Sequence, residues 1–345
     1  MVVSERSVCG FPVMARVSAH RARISAGCVD LAVIERGPAD GVPILVLHGF
    51  TGSAQAMEPL AERLASGLAA RVICPDLIGH GRSEAPDNLD LYRVEAMAGQ
   101  VAALADALGC ETFHLVGYSM GGRVALTLGC VQPQRLRSLC LIGASAGIAD
   151  PAQRQSRAQV DAARAERIVA DFEAFVDDWM ADPLFAGQAA LGDAHLRAAR
   201  AQRLASSPAG LARSLLAGGT GSMTPLHARL ADCEVPVLAL AGALDSKFCM
   251  IAEELAAALP NATVARIDGA GHAAHLEQPD ATAAAIAGFI TGTASITDPP
   301  DPAEPEDTSD AEARSPAAPA PLSTAARPEV HPGVAARPAG EAGTG

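Results

Sequence analysis

From about residue 28 to residue 142 the chain alternates short, nearly unbroken apolar runs with longer segments whose apolar positions recur at helical spacing. Ile44-Leu45-Val46-Leu47 and Phe113-His114-Leu115-Val116 are runs of the first kind. A strand with one wet face alternates apolar and polar residues, whereas a near-continuous apolar run suits a strand covered on both faces. The pattern predicts strands over 29–35, 43–48, 71–75, 112–117 and 137–142, and helices over 55–67, 92–108 and 120–131. Strand–helix alternation of this kind builds a mostly parallel sheet flanked by helices, the α/β class.

The rhythm breaks between about Ala146 and Met223, where Arg-, Ala- and Gln-rich stretches keep helical spacing without a convincing strand. This region reads as a helical lid inserted into the sheet domain. Strands resume over 235–240 and 263–267, each followed by a helix, and the sheet is expected to be complete near Ile290. Residues 1–25 carry no clear periodicity and read as an amino-terminal extension, with Met14 an alternative start. The domain is expected over 26–292. From 293 to 345 the sequence turns to Pro, Ala, Glu and Asp with hardly any large apolar residue. Such a segment buries too little surface to offset its ordering entropy, so a disordered acidic tail is expected.

Composition narrows the partners. Of 345 residues, 49% are hydrophobic, and their concentration in runs allows one large core. The formal charge of −13 argues against a general nucleic-acid surface, which needs clustered Lys and Arg. The eight cysteines lie singly, without a Cys-x-x-Cys pair, and read as buried small hydrophobes in a reducing compartment. No apolar stretch approaches the roughly 20 residues of a membrane helix, and the first 25 residues lack a signal-peptide core. The expectation is a cytoplasmic protein, monomeric or a small homo-oligomer, with neither nucleic acid nor membrane as partner.

Gly117-Tyr118-Ser119-Met120-Gly121 stands where a buried strand passes into a helix. Small residues around Ser119 permit the tight turn that exposes a nucleophilic hydroxyl at the carboxyl edge of a sheet. A serine hydroxyl reacts poorly until an imidazole takes its proton, and Gly269-Ala270-Gly271-His272 supplies one directly after a predicted strand. Asp245, just beyond Ala241-Gly242-Ala243, is the orienting carboxylate, completing the chain order Ser, Asp, His of the α/β-hydrolase fold. His275 is expected to be structural. His48-Gly49-Phe50-Thr51-Gly52-Ser53 resembles that fold's oxyanion loop, so the backbone N–H groups of Phe50 and Met120 are the candidate oxyanion donors and His48 a brace. Asp76-Leu77-Ile78-Gly79-His80-Gly81-Arg82-Ser83 reads as a structurally braced turn. No metal, nucleotide or flavin motif is present, so no cofactor is expected.

Five segments together resemble the 2-succinyl-6-hydroxy-2,4-cyclohexadiene-1-carboxylate synthase family of menaquinone biosynthesis. They are the His48 and Gly117 segments, the latter extended through Gly122-Arg123-Val124-Ala125-Leu126, then Asp178-Trp179 with Pro183-Leu184-Phe185. Gly219-Thr220-Gly221 with Leu226, and Asp245-Ser246-Lys247-Phe248, complete the set, although His227 stands where an aromatic is expected. The resemblance spans about residues 28–292 and implies a lyase that removes a ring proton so that pyruvate is expelled from 2-succinyl-5-enolpyruvyl-6-hydroxy-3-cyclohexene-1-carboxylate. It further implies a small polyanionic carboxylate substrate, contacted by Tyr118, Arg123 and Trp179, with Arg154, Arg157 and Arg203 as further partners. Guanidinium groups suit that task because they bind carboxylates by bidentate, charge-assisted hydrogen bonds.

Because one scaffold hosts many chemistries, two other readings stand beside the lyase. One is a serine hydrolase of esters or of carbon–carbon bonds in ring-cleavage products. The other is a non-catalytic binding protein of the same fold.

Overall fold

Along Pro43–Leu47 consecutive side chains enter opposite halves of the core, and this double burial organises the molecule. Ile44 and Val46 pack in one apolar cluster with Leu60, Leu64, Ile286 and Ile290. Leu45 and Leu47 pack in the other with Met97, Val101, Val124 and Leu128. Removing such a fully enclosed side chain leaves a void, so Leu45→Ala would cost about 2–5 kcal/mol.

The structure, a computed structural model, describes residues 19–297. Its sheet has eight strands: β1 (Ala19–Ala26), β2 (Val29–Arg36), β3 (Pro43–Leu47), β4 (Arg71–Pro75), β5 (Phe113–Tyr118), β6 (Leu136–Ile142), β7 (Val237–Gly242) and β8 (Ala262–Ile267). They lie in the order β1-β2-β4-β3-β5-β6-β7-β8. β2 runs antiparallel to both its neighbours, and from β4 to β8 all pairings are parallel. Helices α1 (Ala54–Leu68), α2 (Val94–Ala107), α3 (Met120–Val131) and, later, α8 (Ser246–Ala258) and α10 (Pro279–Thr297) cover the sheet, with the short α9 (Ala274–Glu277) before the last. Between β6 and β7 the chain forms α4 (Pro151–Ala170), α5 (Phe172–Met180), a 3-10 segment (Pro183–Leu191), α6 (Asp193–Leu204) and α7 (Pro208–Gly218).

Three sequence expectations need correction. The domain does not begin near residue 26, since Ala19–Ala26 pairs along its whole length with β2. No strand lies near Ile290; among the described residues β8 is the last, and Ile290 belongs to α10, whose Ile286 and Ile290 share one buried face at i, i+4 spacing. That helix also runs through residues 293–297, which composition alone places in the tail. Met14 and the expected disorder from 298 to 345 lie outside the described residues. Among the described residues no helix is long and apolar enough to cross a membrane.

Candidate active site

Ser119 occupies the turn between β5 and α3 with φ +51°, a conformation that a non-glycine residue holds only at a cost of about 1–3 kcal/mol. The turn is possible because α3 comes very close to β3: a Cβ on Gly121 would stand 2.6 Å from the carbonyl oxygens of Leu47 and His48. Serine is a favoured helix N-cap, yet the Ser119 hydroxyl makes no capping bond. It lies instead 3.2 Å from His272 Nε2.

Asp245 explains the imidazole's orientation. As N-cap of α8 it uses Oδ1 to accept from the Phe248 N–H at 3.1 Å, which leaves Oδ2 to accept from His272 Nδ1 at 2.9 Å. A carboxylate can only accept, so the proton sits on Nδ1 and the Nε2 lone pair faces the serine. Burial acts to raise the Asp245 carboxyl, but the hydrogen bond from His272, the Phe248 N–H and the charges of His272 and Lys247 hold it below its ordinary value. The His272 loop is itself tied down: Glu277 accepts from the N–H groups of Gly271 at 2.6 Å and Ala273 at 3.2 Å, on either side of the histidine. His275 is buried against the Tyr118 ring at 4.3 Å and also lines the cleft.

The oxyanion loop is braced by His48, whose Nδ1 donates to Gly49 O at 2.8 Å while Nε2 accepts from the Leu77 N–H at 2.9 Å. Burial pushes this imidazole down to about 4, so it is a neutral strut. Asp76 braces the neighbouring turn, accepting from the N–H groups of Ala54 at 2.6 Å and Arg82 at 2.8 Å. Phe50 and Met120 both line the cleft above Ser119, and among the described residues neither backbone N–H donates to a protein acceptor. Two unspent donors beside a hydroxyl are what a developing oxyanion requires.

The lid supplies the roof. Trp179 meets Phe50 edge to face at 5.3 Å, lies near Phe175 and Phe185, and has a buried indole N–H without a partner among the described residues. Arg123 is 9% exposed; its Nη1 donates to Gly218 O at 2.9 Å, and burial, with the charge of Arg157, lowers it to about 10. Arg157 lines the same cleft while its Nε donates to Asp161 at 2.8 Å. Arg203, also 9% exposed, donates from Nη1 to Ala199 O and leaves a buried Nε unpartnered among the described residues. Tyr118 lines the floor, its hydroxyl raised by burial.

Arg154 is the sequence candidate that the fold does not bring to the cleft. Its Nη1 donates to the carbonyls of Ile148 and Ala149 at the root of the lid, so the guanidinium closes a loop instead. Lys247, Phe248 and Gln188 do line the cleft, without having been singled out as site residues. For the first two a signal existed, because an Asp245 N-cap necessarily puts the next residues in a helical first turn beside it. Gln188 gave none.

This sheet order and serine elbow define an alpha/beta hydrolase fold protein, and residues 42–279 match the family of that description. Within it, a Serratia proteamaculans (strain 568) 2-succinyl-6-hydroxy-2,4-cyclohexadiene-1-carboxylate synthase is 33% identical over 75% of this chain and 96% of its own. A Bacillus subtilis (strain 168) protein carrying the same name provisionally is 36% identical over 76% of this chain and 95% of its own. The structure of MenH from S. aureus superposes with TM-score 0.69 at 33% identity, covering 73% of this chain and 94% of that one. The chain belongs to this synthase family of the alpha/beta hydrolase fold.

Proposed function

We propose that this chain is a lyase that eliminates pyruvate from 2-succinyl-5-enolpyruvyl-6-hydroxy-3-cyclohexene-1-carboxylate, giving 2-succinyl-6-hydroxy-2,4-cyclohexadiene-1-carboxylate. One observation carries the reading: in a chain of formal charge −13, the cleft beside Ser119 is lined by Arg123, Arg157, Arg203 and Lys247 and, among the described residues, by no carboxylate. A cleft so charged selects a substrate bearing several carboxylates. The names of the relatives agree with it, whereas nothing favours the ester hydrolase, the carbon–carbon hydrolase or the non-catalytic protein. Cytoplasmic residence belongs to the same proposal.

In this mechanism Ser119 passes its proton to His272 Nε2 and takes the ring proton, while Asp245 keeps the imidazole in the receptive tautomer. The Phe50 and Met120 amides stabilise the negative charge that develops, each contributing about 2.7–4 kcal/mol. Electrons from the broken C–H bond form the new ring double bond, and the C–O bond to the enolpyruvyl group breaks. Arg123, Arg157 and Arg203 hold the carboxylates, and Trp179 and Tyr118 wall the ring.

The test is pyruvate release from freshly prepared substrate by the parent and by Ser119→Ala. Serine-dependent release far above the spontaneous rate is expected. A folded parent that gives no acceleration would remove the lyase reading.

A further inference from the structure

We infer that Lys247 grips the carboxylate of the departing pyruvate, an inference that rests on the elimination proposed above. Of the four cations lining the cleft, three are enclosed or already engaged. Arg123 donates to Gly218 O, Arg157 to Asp161 and Arg203 to Ala199 O. Lys247 differs from them all. It is exposed, lies in the first turn of α8, and among the described residues makes no hydrogen bond or ion pair. Its Nζ stands 5.7 Å from the centroid of the Phe248 ring, and that ring packs 4.4 Å from the ring of His272. Lys247 is thus the cation on the proton-transfer side of the cleft, and its ammonium is in reach of water.

The chemistry of the leaving group fits that position. When the ring C–H proton goes to the base and the C–O bond breaks, the electron pair of that bond departs on oxygen. The fragment leaves as the enolate of pyruvate, with the new negative oxygen next to the carboxylate, and becomes pyruvate by taking up the proton that His272 received from Ser119, while Ser119 keeps the ring proton. A charge that grows as the bond breaks is held more tightly in the transition state than in the ground state, so a cation there accelerates the step. Pyruvate must then enter water, whereas the ring product keeps its other carboxylates. A compact ammonium on a flexible stem can hold a group that leaves, and the enclosed guanidinium groups suit groups that stay.

The experiment compares the parent with Lys247→Gln and Lys247→Arg, using the full substrate for turnover and two inhibitors as probes, pyruvate and succinate. Because Lys247 is exposed, neither variant is expected to unfold. Lys247→Gln should raise the inhibition constant of pyruvate about threefold to fivefold and lower kcat about tenfold, with succinate inhibition unchanged. Lys247→Arg should restore most of both. An active parent whose kcat and pyruvate inhibition are untouched by Lys247→Gln would overturn the assignment. Equal weakening of pyruvate and succinate would also overturn it, by making Lys247 a general attractor of anions. A parent inactive on the substrate fails differently: it removes the elimination, and the inference with it.

Discussion

Gly187 of the lid faces the Glu277 carboxylate so closely that a Cβ on the glycine would stand 2.0 Å from Oε2. The same carboxylate holds the backbone on both sides of His272. The seating of the 3-10 segment Pro183–Leu191 and the position of the imidazole are therefore read by one side chain.

Gly187→Ala should consequently damage catalysis more than folding. Either the lid lifts or Glu277 releases a backbone N–H, at an overpacking cost of about 1–3 kcal/mol. Steady-state kinetics should show kcat/KM down about tenfold, with circular dichroism unchanged. Parent-like kinetics would mean that lid and histidine loop move independently.

Arg123 lends itself to Arg123→Met, which keeps most of the buried bulk while removing the charge. Loss of a charge-assisted contact of about 1.5–3 kcal/mol should lower kcat/KM for the polyanionic substrate about 10- to 150-fold. Turnover of a small neutral ester by the same serine, if measurable in the parent, should change little. Equal losses on both substrates would assign Arg123 to the fold alone.

Four buried histidines set an acid limit on stability. Burial holds His48 at about 4, His114 at about 4 (helped by the charge of Arg137), His80 at about 3 (helped by the charge of His48) and His275 at about 3 (helped by that of His272), against an ordinary 6.5. Between those values and 6.5 the unfolded chain binds protons that the folded chain refuses. Their contribution is complete above about pH 6.5 and is lost as pH falls toward 4 and then 3. Denaturant titrations should show that decline, and His275→Phe should make its slope shallower by about 1.4 kcal/mol per pH unit. An unchanged slope would show that His275 does not titrate with unfolding.

Ser119 holds a positive φ that glycine adopts freely. Ser119→Gly should abolish pyruvate release and raise Tm by about 2–4 °C, as a gain of about 1 kcal/mol would. A lower Tm would show that the elbow is not strained.

Much of this architecture was legible because the informative signals were local. Buried parallel strands need unbroken apolar runs, and Ser119 and Asp245 each follow such a run, whereas His272 follows the largely exposed β8, which Thr263 and Arg266 interrupt, and is placed by the chain order Ser, Asp, His. Ala19–Ala26 escaped because Arg21 and Arg23 stand exposed on an edge strand and little apolar pattern remains. What makes the segment a strand is its pairing with β2, reached through the turn at Gly27, whose φ is +74°. Arg154 and Arg157 sit three apart on one helix, and spacing cannot tell which guanidinium reaches inward. The choice is made by the Ile148 and Ala149 carbonyls for one and by Asp161 for the other.

The lid leaves the sheet after β6 and returns at β7, and those two strands are hydrogen-bonded neighbours. Everything between them is a detour inserted at a single seam. The detour can lengthen, shorten or be exchanged without altering one strand pairing, so long as its Pro183–Leu191 segment still clears the Glu277 carboxylate that holds the His272 loop. Descent could thus rewrite what this cleft recognises while inheriting its proton-transfer apparatus unchanged.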